Sequence, residues 1–217
     1  MIEKTAQLMN SLLFGFYDKD KDNSDLLNKI VFNAATTSSQ EISLAAKQIS
    51  SIYTELSKSE GEEVLSGFRE FIQQMALNYD TKTSSFTALL WKDMLQHGNK
   101  QALSSLFENY SFLQENDREL GNLLMNQSVL TYEKFGYNTA SSYISSVNKI
   151  FEVGRESDNL KGTLKDFLST WKDISNLEDL SLRQRQNSLE DFATTIKNSN
   201  SLEDIQNSIE NYKNNLA

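Results

Sequence analysis

Cysteine and proline are absent from this chain, and glycine and histidine are scarce. Its 217 residues include no Cys, no Pro, eight Gly and one His. Without cysteine there is no disulfide, no thiolate metal ligand and no cysteine nucleophile, and thiol chemistry gives no information on the compartment. Without proline, and with glycines far apart, the strongest helix breakers are missing. The composition therefore favours long helices.

The charge balance is acidic. Thirty acidic and 21 basic residues give a net charge of −9, which repels phosphate backbones. We therefore expect no nucleic-acid partner. The apolar fraction of 38% is sufficient for a hydrophobic core without a metal or disulfide.

Long apolar runs are also missing, since no stretch approaches the roughly 18 residues of a membrane span. The first residues, MIEKTAQLMNSLLFGFY, lack a basic region and a small-residue cleavage site. We expect no transmembrane segment and a soluble protein, cytoplasmic by default. Export without a cleavable signal peptide stays an open alternative.

Apolar residues recur at steps of three and four along most of the chain, which predicts amphipathic helices. One stripe runs from Leu27 to Leu56, a second from Val64 to Met94, with a break or turn near 80–85, and a third from Leu103 through Leu120 towards Phe135. Shorter stripes follow residue 160. We predict an all-α fold, an elongated antiparallel bundle or coiled coil of long helices with shorter helices at the C-terminal end.

Short polar separators predict the turns at 58–63, 96–100, 135–138 and 154–159. Capping boxes, in which Ser is followed three residues later by an acid, predict helix starts at Ser59, Ser188 and Ser201. No linker rich in glycine, serine or proline divides the chain. We therefore predict a single helical domain over 1–217, with 158–217 as a candidate looser part.

The run FYDKDKDNSDLLNKIV resembles the start of a calcium-binding loop, because Asp18, Asp20 and Asp22 alternate between two apolar stretches. Such a loop also needs glycine at position 6 and a bidentate glutamate at position 12. Here those positions hold Asn23 and Lys29. We interpret the segment as a solvated turn and expect no tight calcium binding.

The other polar groups do not assemble a reaction centre. His97 lies in a predicted turn with no second histidine as partner. The pairs Glu62–Glu63 and Glu178–Asp179 are interpreted as acids at helix starts, and Arg183 and Arg185 as a solvated face or partners of Glu190. We predict no catalytic, cofactor-binding or metal-binding residue, no cofactor and no enzymatic activity.

Aromatic residues are numerous near the helix breaks. Seven aromatic residues are more than the apolar stripes need: Phe14, Phe16, Tyr17, Phe112, Phe135, Tyr137 and Tyr143. We interpret them as packing helix ends, and the alternative is an apolar binding face. The polar helical stretches FNAATTSSQ and NTASSYISS suggest adaptable packing against a partner.

Two segments combine a polar turn, acidic residues among leucines, and spaced aromatics: HGNKQALSSLFENYSFLQEN at 97–116 and NSNSLEDIQNSIENYKNNL at 198–216. This pattern resembles phasins, the helical proteins that coat polyhydroxyalkanoate storage granules. The proline usual at such helix starts is replaced by Asn99 or Lys100 and by Ser201. The resemblance implies a non-enzymatic amphipathic coat on an apolar surface.

We therefore predict a non-catalytic helical interaction protein, with coating of a hydrophobic granule as its most specific form. The alternative is an exported or virion-associated helical protein, such as a secretion-system component or adhesin. The expected partner is a protein or an apolar granule surface, and homo-oligomerisation is a further alternative.

Overall fold

The structure, a computed structural model, describes residues 51–78 and 81–216, and the side chains of 51–71 and 89–214. Residues 51–57 are helical. The helices that follow are α1 Glu62–Asn78, α2 Thr81–Gln96, α3 Lys100–Asn116, α4 Arg118–Phe135, α5 Tyr137–Gly154, α6 Leu160–Ser175, α7 Leu182–Lys197 and α8 Leu202–Leu216. Because the described residues include no strand, the all-α prediction is confirmed.

The chain divides into two compact units at the bond between Lys100 and Gln101. This division does not decide whether residues 1–217 form one domain or whether 158–217 is looser, and both stay predictions. The elongated shape likewise stays a prediction.

The first unit has an aromatic centre between α1 and α2. The Trp91 ring lies 5.1 Å from that of Phe68 and 4.9 Å from that of Phe71, measured between centroids. Ile52 and Leu56, from the helical segment before α1, are also buried. Phe68, Phe71, Ile52 and Leu56 belong to the predicted stripes, whereas Trp91 was not part of them; it lies three residues before Met94 and so shares its helix face.

Helix α5 is the centre of the second unit, where it packs against α4, α6, α7 and α8. Its stretch NTASSYISS was interpreted as suited to a partner, but Thr139, Ala140, Tyr143, Ile144 and Ser146 are buried inside the unit. Hydroxyl groups do not prevent this burial, because Ser146 Oγ donates to Ser142 O within the helix at 2.9 Å. Small side chains then let neighbouring helices approach closely.

A chain of ring contacts crosses this unit from α5 to α8. Tyr143 contacts Trp171 and Phe167, with centroids 5.1 and 5.6 Å apart. Phe167 stacks on Phe192 at 5.6 Å, and Phe192 contacts Tyr212 at 4.7 Å. Buried aromatic pairs add stabilisation beyond the area they bury.

The predicted turns at 58–63, 96–100, 135–138 and 154–159 all contain helix ends. Two of them use glycine at positive φ, Gly98 at 74° and Gly136 at 81°. One break was missed. The third stripe was predicted to continue from Leu113 to Leu120, whereas Asp117 separates α3 from α4 and its carboxylate accepts a hydrogen bond from Leu120 N at 3.1 Å. The stripe passes through this break because a single N-cap residue interrupts it.

Of the three predicted helix starts, the one at Ser201 is confirmed, since Ser201 Oγ accepts from Asp204 N at 3.1 Å. The Asp204 carboxylate accepts from Asn200 N rather than from Ser201 N. The box at Ser188 is wrong because Ser188 lies inside α7. That helix begins after Ser181, whose side chain forms the box with Gln184. The box at Ser59 is also wrong, because its hydroxyl donates backwards to the Leu56 carbonyl at 3.4 Å and α1 begins at Glu62.

Candidate functional site

Helices α4 and α6 run side by side in the same direction. Near their starts, Lys165 Nζ lies 3.4 Å from Asp117 Oδ2. Near their ends, Lys134 Nζ donates to the Ser175 carbonyl at 2.5 Å. The surface between them is a groove that follows both helix axes, and we call it the α4–α6 groove.

Two open depressions lie along this groove, with volumes of about 410 and 470 Å³. Gln127 and Lys172 line both of them, so the depressions adjoin each other. The first is lined by Asp117, Glu119, Leu120, Leu123, Gln127, Lys165, Leu168, Ser169 and Lys172. The second is lined by Gln127, Leu130, Thr131, Glu133, Lys134, Phe135, Lys172, Ser175 and Asn176.

The α4 wall of the groove exposes leucine. Leu123 is 52% exposed and Leu130 is 50% exposed, and together with Leu182, at 49%, they are the large apolar side chains most exposed among the described residues. Leu182 begins α7 and lines neither depression. Leu168, on the α6 wall, is half-buried. The groove thus gathers apolar surface that the core does not use.

The two walls of the groove carry opposite charges. Glu119 and Glu133 line it from α4, together with Lys134 at its end, whereas Lys165 and Lys172 line it from α6. Lys165 already pairs with Asp117. Within the described part of the chain, Lys172 and Glu119 form no ion pair, so neither charge is neutralised by a side chain of opposite sign.

At the end of the groove, two cations converge on the last turn of α6. Lys134 Nζ also donates to Asn176 Oδ1 at 3.1 Å, and Arg185 Nη1 donates to the Ser175 carbonyl at 3.3 Å. Desolvation lowers the pKa of Lys134, and the nearby Arg185 charge lowers it further. Since helix C-terminal carbonyls favour positive charge, these side chains cap α6 and fix its end against α4.

At the opposite end, Asp117 fixes the start of α4. The Leu120 backbone N–H is the main cause that lowers the pKa of this carboxyl; burial opposes it, and Lys165 and Lys161 lower the pKa further. The Lys161 ammonium in turn donates to the Asn116 carbonyl at 2.8 Å. The groove therefore has a fixed geometry at both ends.

The polar residues singled out in the sequence occupy different local positions within the two units. His97 is exposed beyond the end of α2, with its Nδ1 2.8 Å from the Asp93 carbonyl oxygen. Glu62 and Glu63 lie in the first turn of α1, as predicted. Glu178 and Asp179 lie in the turn before α7 rather than at a helix start. Arg185 caps α6, and Glu190 instead accepts from Thr139 and Gln186.

The aromatic residues near the helix breaks pack as predicted where the structure describes them. Phe135 and Tyr143 are buried, and Phe112 and Tyr137 are half-buried. Phe112 packs edge to face on Phe151, with centroids 6.0 Å apart. Phe14, Phe16 and Tyr17 lie outside the described residues, as does the Asp18–Lys29 loop.

Among residues 51–78 and 81–216, no group of three or more His, Cys, Asp or Glu side chains is arranged to hold a metal ion. The expectation about calcium at Asp18, Asp20 and Asp22 stays a prediction. Within the same residues, no helix is both long and apolar enough to span a membrane.

Sequence reasoning missed the α4–α6 groove. Its signal was present, because Leu123 and Leu130 lie seven residues apart and off the stripe that contains Leu120 and Leu124. Two leucines one heptad apart on a second face of a helix indicate a second contact surface. What the sequence does not show is that α6 lies beside that face.

Comparison with known proteins adds no assignment: no family model, curated protein or solved structure matches the chain.

Proposed function

We propose that this chain is a non-catalytic interaction protein that binds a protein partner through the α4–α6 groove. The observation that carries the proposal is the exposure of Leu123 and Leu130, about half of each residue, on one wall of a groove with two adjoining depressions. Contiguous exposed apolar surface with a polar rim is typical of protein-binding sites.

Support also comes from the rigidity of the groove. The walls are joined beneath its floor by a buried hydrogen bond from Trp171 Nε1 to Thr131 Oγ1 at 3.0 Å. Its ends are held by the Asp117–Lys165 pair and by Lys134 at the Ser175 carbonyl. A surface that is already ordered loses little conformational entropy when a partner binds.

Coating of an apolar granule, the more specific function implied by the resemblance to phasins, makes a different demand on the structure. The segments that carry the resemblance are α3 and α8, whose apolar residues Leu103, Leu106, Phe107, Ile205 and Ile209 are buried. A coat formed by these helices would have to turn those residues outward. Binding through the groove leaves the fold unchanged, so the two forms of the proposal can be separated by experiment.

The test compares three versions of the full chain as baits in extracts of the source cells. They are the wild type, the double variant Leu123→Ser/Leu130→Ser, and Leu182→Ser as a control of equal exposure outside the groove. We expect a partner that is retained by the wild type and by Leu182→Ser and lost with the double variant. The interaction is then reconstituted from the two purified proteins.

Capture of the same proteins by all three baits would contradict binding through the groove. The coat is tested in parallel by adsorption to polymer particles and neutral lipid droplets at low and high salt. Salt-independent adsorption that survives the double variant, with a change in the melting temperature, would favour the coat.

A further inference from the structure

We propose that the α4–α6 groove accepts one amphipathic α-helix of a partner protein, with acidic residues along the flank that faces α6 and basic residues along the flank that faces α4. This inference rests on the proposed function and specifies the partner's chemistry.

The first argument is the matching repeat on the two walls. Leu123 and Leu130 on α4 are seven residues apart, and so are Lys165 and Lys172 on α6. At a rise of about 1.5 Å per residue, each pair spans roughly 10.5 Å. Because the two helices are parallel, the leucines on one wall and the lysines on the other are separated by the same distance along the groove. A helix with apolar residues every 3.5 positions on average has this repeat.

The second argument is the distribution of apolar surface. Each depression adjoins one exposed leucine, Leu123 in the first and Leu130 in the second. On each wall, two residues four positions apart line the first depression: Leu123 and Gln127 on α4, and Leu168 and Lys172 on α6. Two side chains from each wall therefore border this depression, and an apolar side chain of a third helix can enter between them.

The third argument is charge. Glu119 and Glu133, two heptads apart, line the α4 wall, and Lys165 and Lys172 line the α6 wall. Lys134, the cation that lines the α4 wall, is bound to the last turn of α6. A helix with one acidic and one basic flank satisfies both walls, whereas a uniformly charged helix is repelled by one of them. A neutral lipid or polymer surface carries no charges that could complement two opposite walls.

The arrangement also couples direction to charge. A helix turned end for end, with its apolar face still in the groove, exchanges the positions of its two flanks. A peptide and its flank-swapped counterpart are therefore expected to bind in opposite directions.

The test uses three designed helical peptides with the same apolar seam. One has an acidic and a basic flank, one has two acidic flanks and one has two basic flanks. Calorimetric titration with the full chain measures the dissociation constant of each. We expect the split-charge peptide to bind several-fold tighter than either uniform peptide, since each exposed pair contributes modestly. For this peptide, Leu123→Ser/Leu130→Ser should raise the dissociation constant about 10-fold or more, and Leu182→Ser should leave it within about 2-fold.

A charge reversal provides an independent variant. Lys172→Glu should weaken binding of the split-charge peptide several-fold. Lys197→Glu is the matched control because both lysines are exposed and lie in the last turn of a helix, so both reversals carry the same unfavourable interaction with the helix dipole. The control should bind the peptide like the wild type.

Direction is measured by cross-linking. Because the chain has no cysteine, Arg118→Cys places a single thiol at the first residue of α4. The split-charge peptide and its flank-swapped counterpart should react with this thiol through opposite termini.

The outcomes separate this inference from the proposed function. Equal binding of all three peptides, lost in the leucine variant, would refute the charged flanks and leave the groove as a binding site. Peptide binding that is unchanged in the leucine variant would contradict both this inference and the proposal that the groove is the binding site. If no peptide binds but a partner is captured through the leucines, the partner is not a helix of this kind. A dimer that dissociates in the leucine variant, measured by sedimentation, would make a second copy of the chain the occupant and refute the inference.

Discussion

Trp171 on α6 donates a hydrogen bond from its indole Nε1 to the hydroxyl oxygen of Thr131 on α4, at 3.0 Å. Both residues are buried, at 0% and 1% exposure. The indole N–H has no water to bond with at this depth, so Thr131 satisfies a donor whose desolvation would otherwise be unfavourable. The bond also fixes the spacing of the two walls of the groove.

Replacement of Thr131 by valine should therefore destabilise the protein by about 1 to 3 kcal/mol, because the Trp171 N–H is left buried without an acceptor. Denaturant unfolding measures the change. Thr131→Ser keeps the hydroxyl and should cost less. In the Trp171→Phe background, Thr131→Val should cost clearly less, since the donor is gone, and an unchanged cost there would contradict this account.

The N-cap at Asp117 gives a second prediction. Asp117→Ala should cost about 1 kcal/mol at neutral pH through loss of the bond from Leu120 N. Asp117→Asn keeps an acceptor for that N–H and should cost less. Both are measured by denaturant unfolding.

The pH dependence of that difference follows from the lowered pKa of Asp117. A carboxyl whose pKa is lower in the folded than in the unfolded state adds stability above its ordinary value of 3.8, and this stability is lost as pH falls through the folded value. The gap between wild type and Asp117→Asn should therefore close below about pH 4. A difference in stability between the two proteins that persists below pH 4 would contradict the lowered pKa of Asp117.

Tyr143 provides a test at alkaline pH. Its hydroxyl donates to the Leu124 carbonyl at 2.8 Å, so Tyr143→Phe should cost about 0.5 to 1.5 kcal/mol at pH 7. Burial raises its pKa well above the ordinary value of 10.0. The folded state then keeps a proton that the unfolded state releases, and stability is lost as pH rises above about 10.

Tyr143→Phe has no hydroxyl to ionise at position 143, so it should lose less stability than the wild type above about pH 10. Unfolding measured from pH 7 to 11 would show the two curves converging. Tyr212→Phe is the control. Tyr212 is half-buried on α8, and phenylalanine at this position keeps the ring contact with Phe192 and removes only the hydroxyl. Parallel curves for Tyr143→Phe and wild type would show that Tyr143 ionises in the folded state.

Two glycines should respond to alanine in opposite ways. Gly136 joins α4 to α5 at φ 81°, where a side chain is strained although no atom lies within 4 Å of an added Cβ. Gly136→Ala should destabilise by about 1 to 3 kcal/mol. Gly162 lies in the first turn of α6 with equally open space, and Gly162→Ala should stabilise by about 0.5 to 1 kcal/mol. Thermal unfolding of both variants checks the pair.

Helix positions were predictable where the sequence contains glycine or a strong polar cluster between apolar stripes, as at Gly98, Gly136 and 154–159. The break at Asp117 was not, because the apolar spacing from Leu113 to Leu120 is also compatible with one continuous helix. Ser181 and Ser188 each begin a local pattern that can cap a helix. Which of the two serines caps α7 depends on where that helix packs, and this is a property of the tertiary fold.

The candidate site was less predictable than the fold. Its groove requires Leu123 and Leu130 on α4 to lie beside Lys165 and Lys172 on α6, some forty residues later in the sequence. Periodicity within one helix shows which face is apolar, and it does not identify the neighbouring helix. The stretch NTASSYISS is largely buried for a related reason: Ser145 and Ser146 bond to carbonyls of their own helix, and Thr139 and Tyr143 bond to neighbouring helices, so polar composition does not mean exposure.

The two aromatic centres have a spectroscopic consequence. The sequence contains two tryptophans. Trp91 lies in the first compact unit and Trp171 in the second, so each unit carries its own fluorophore. Trp91→Phe leaves emission from the second unit alone, and Trp171→Phe leaves emission from the first. Unfolding curves from these variants, each compared with circular dichroism of the same protein, would therefore measure whether the two units lose structure in one transition or in two.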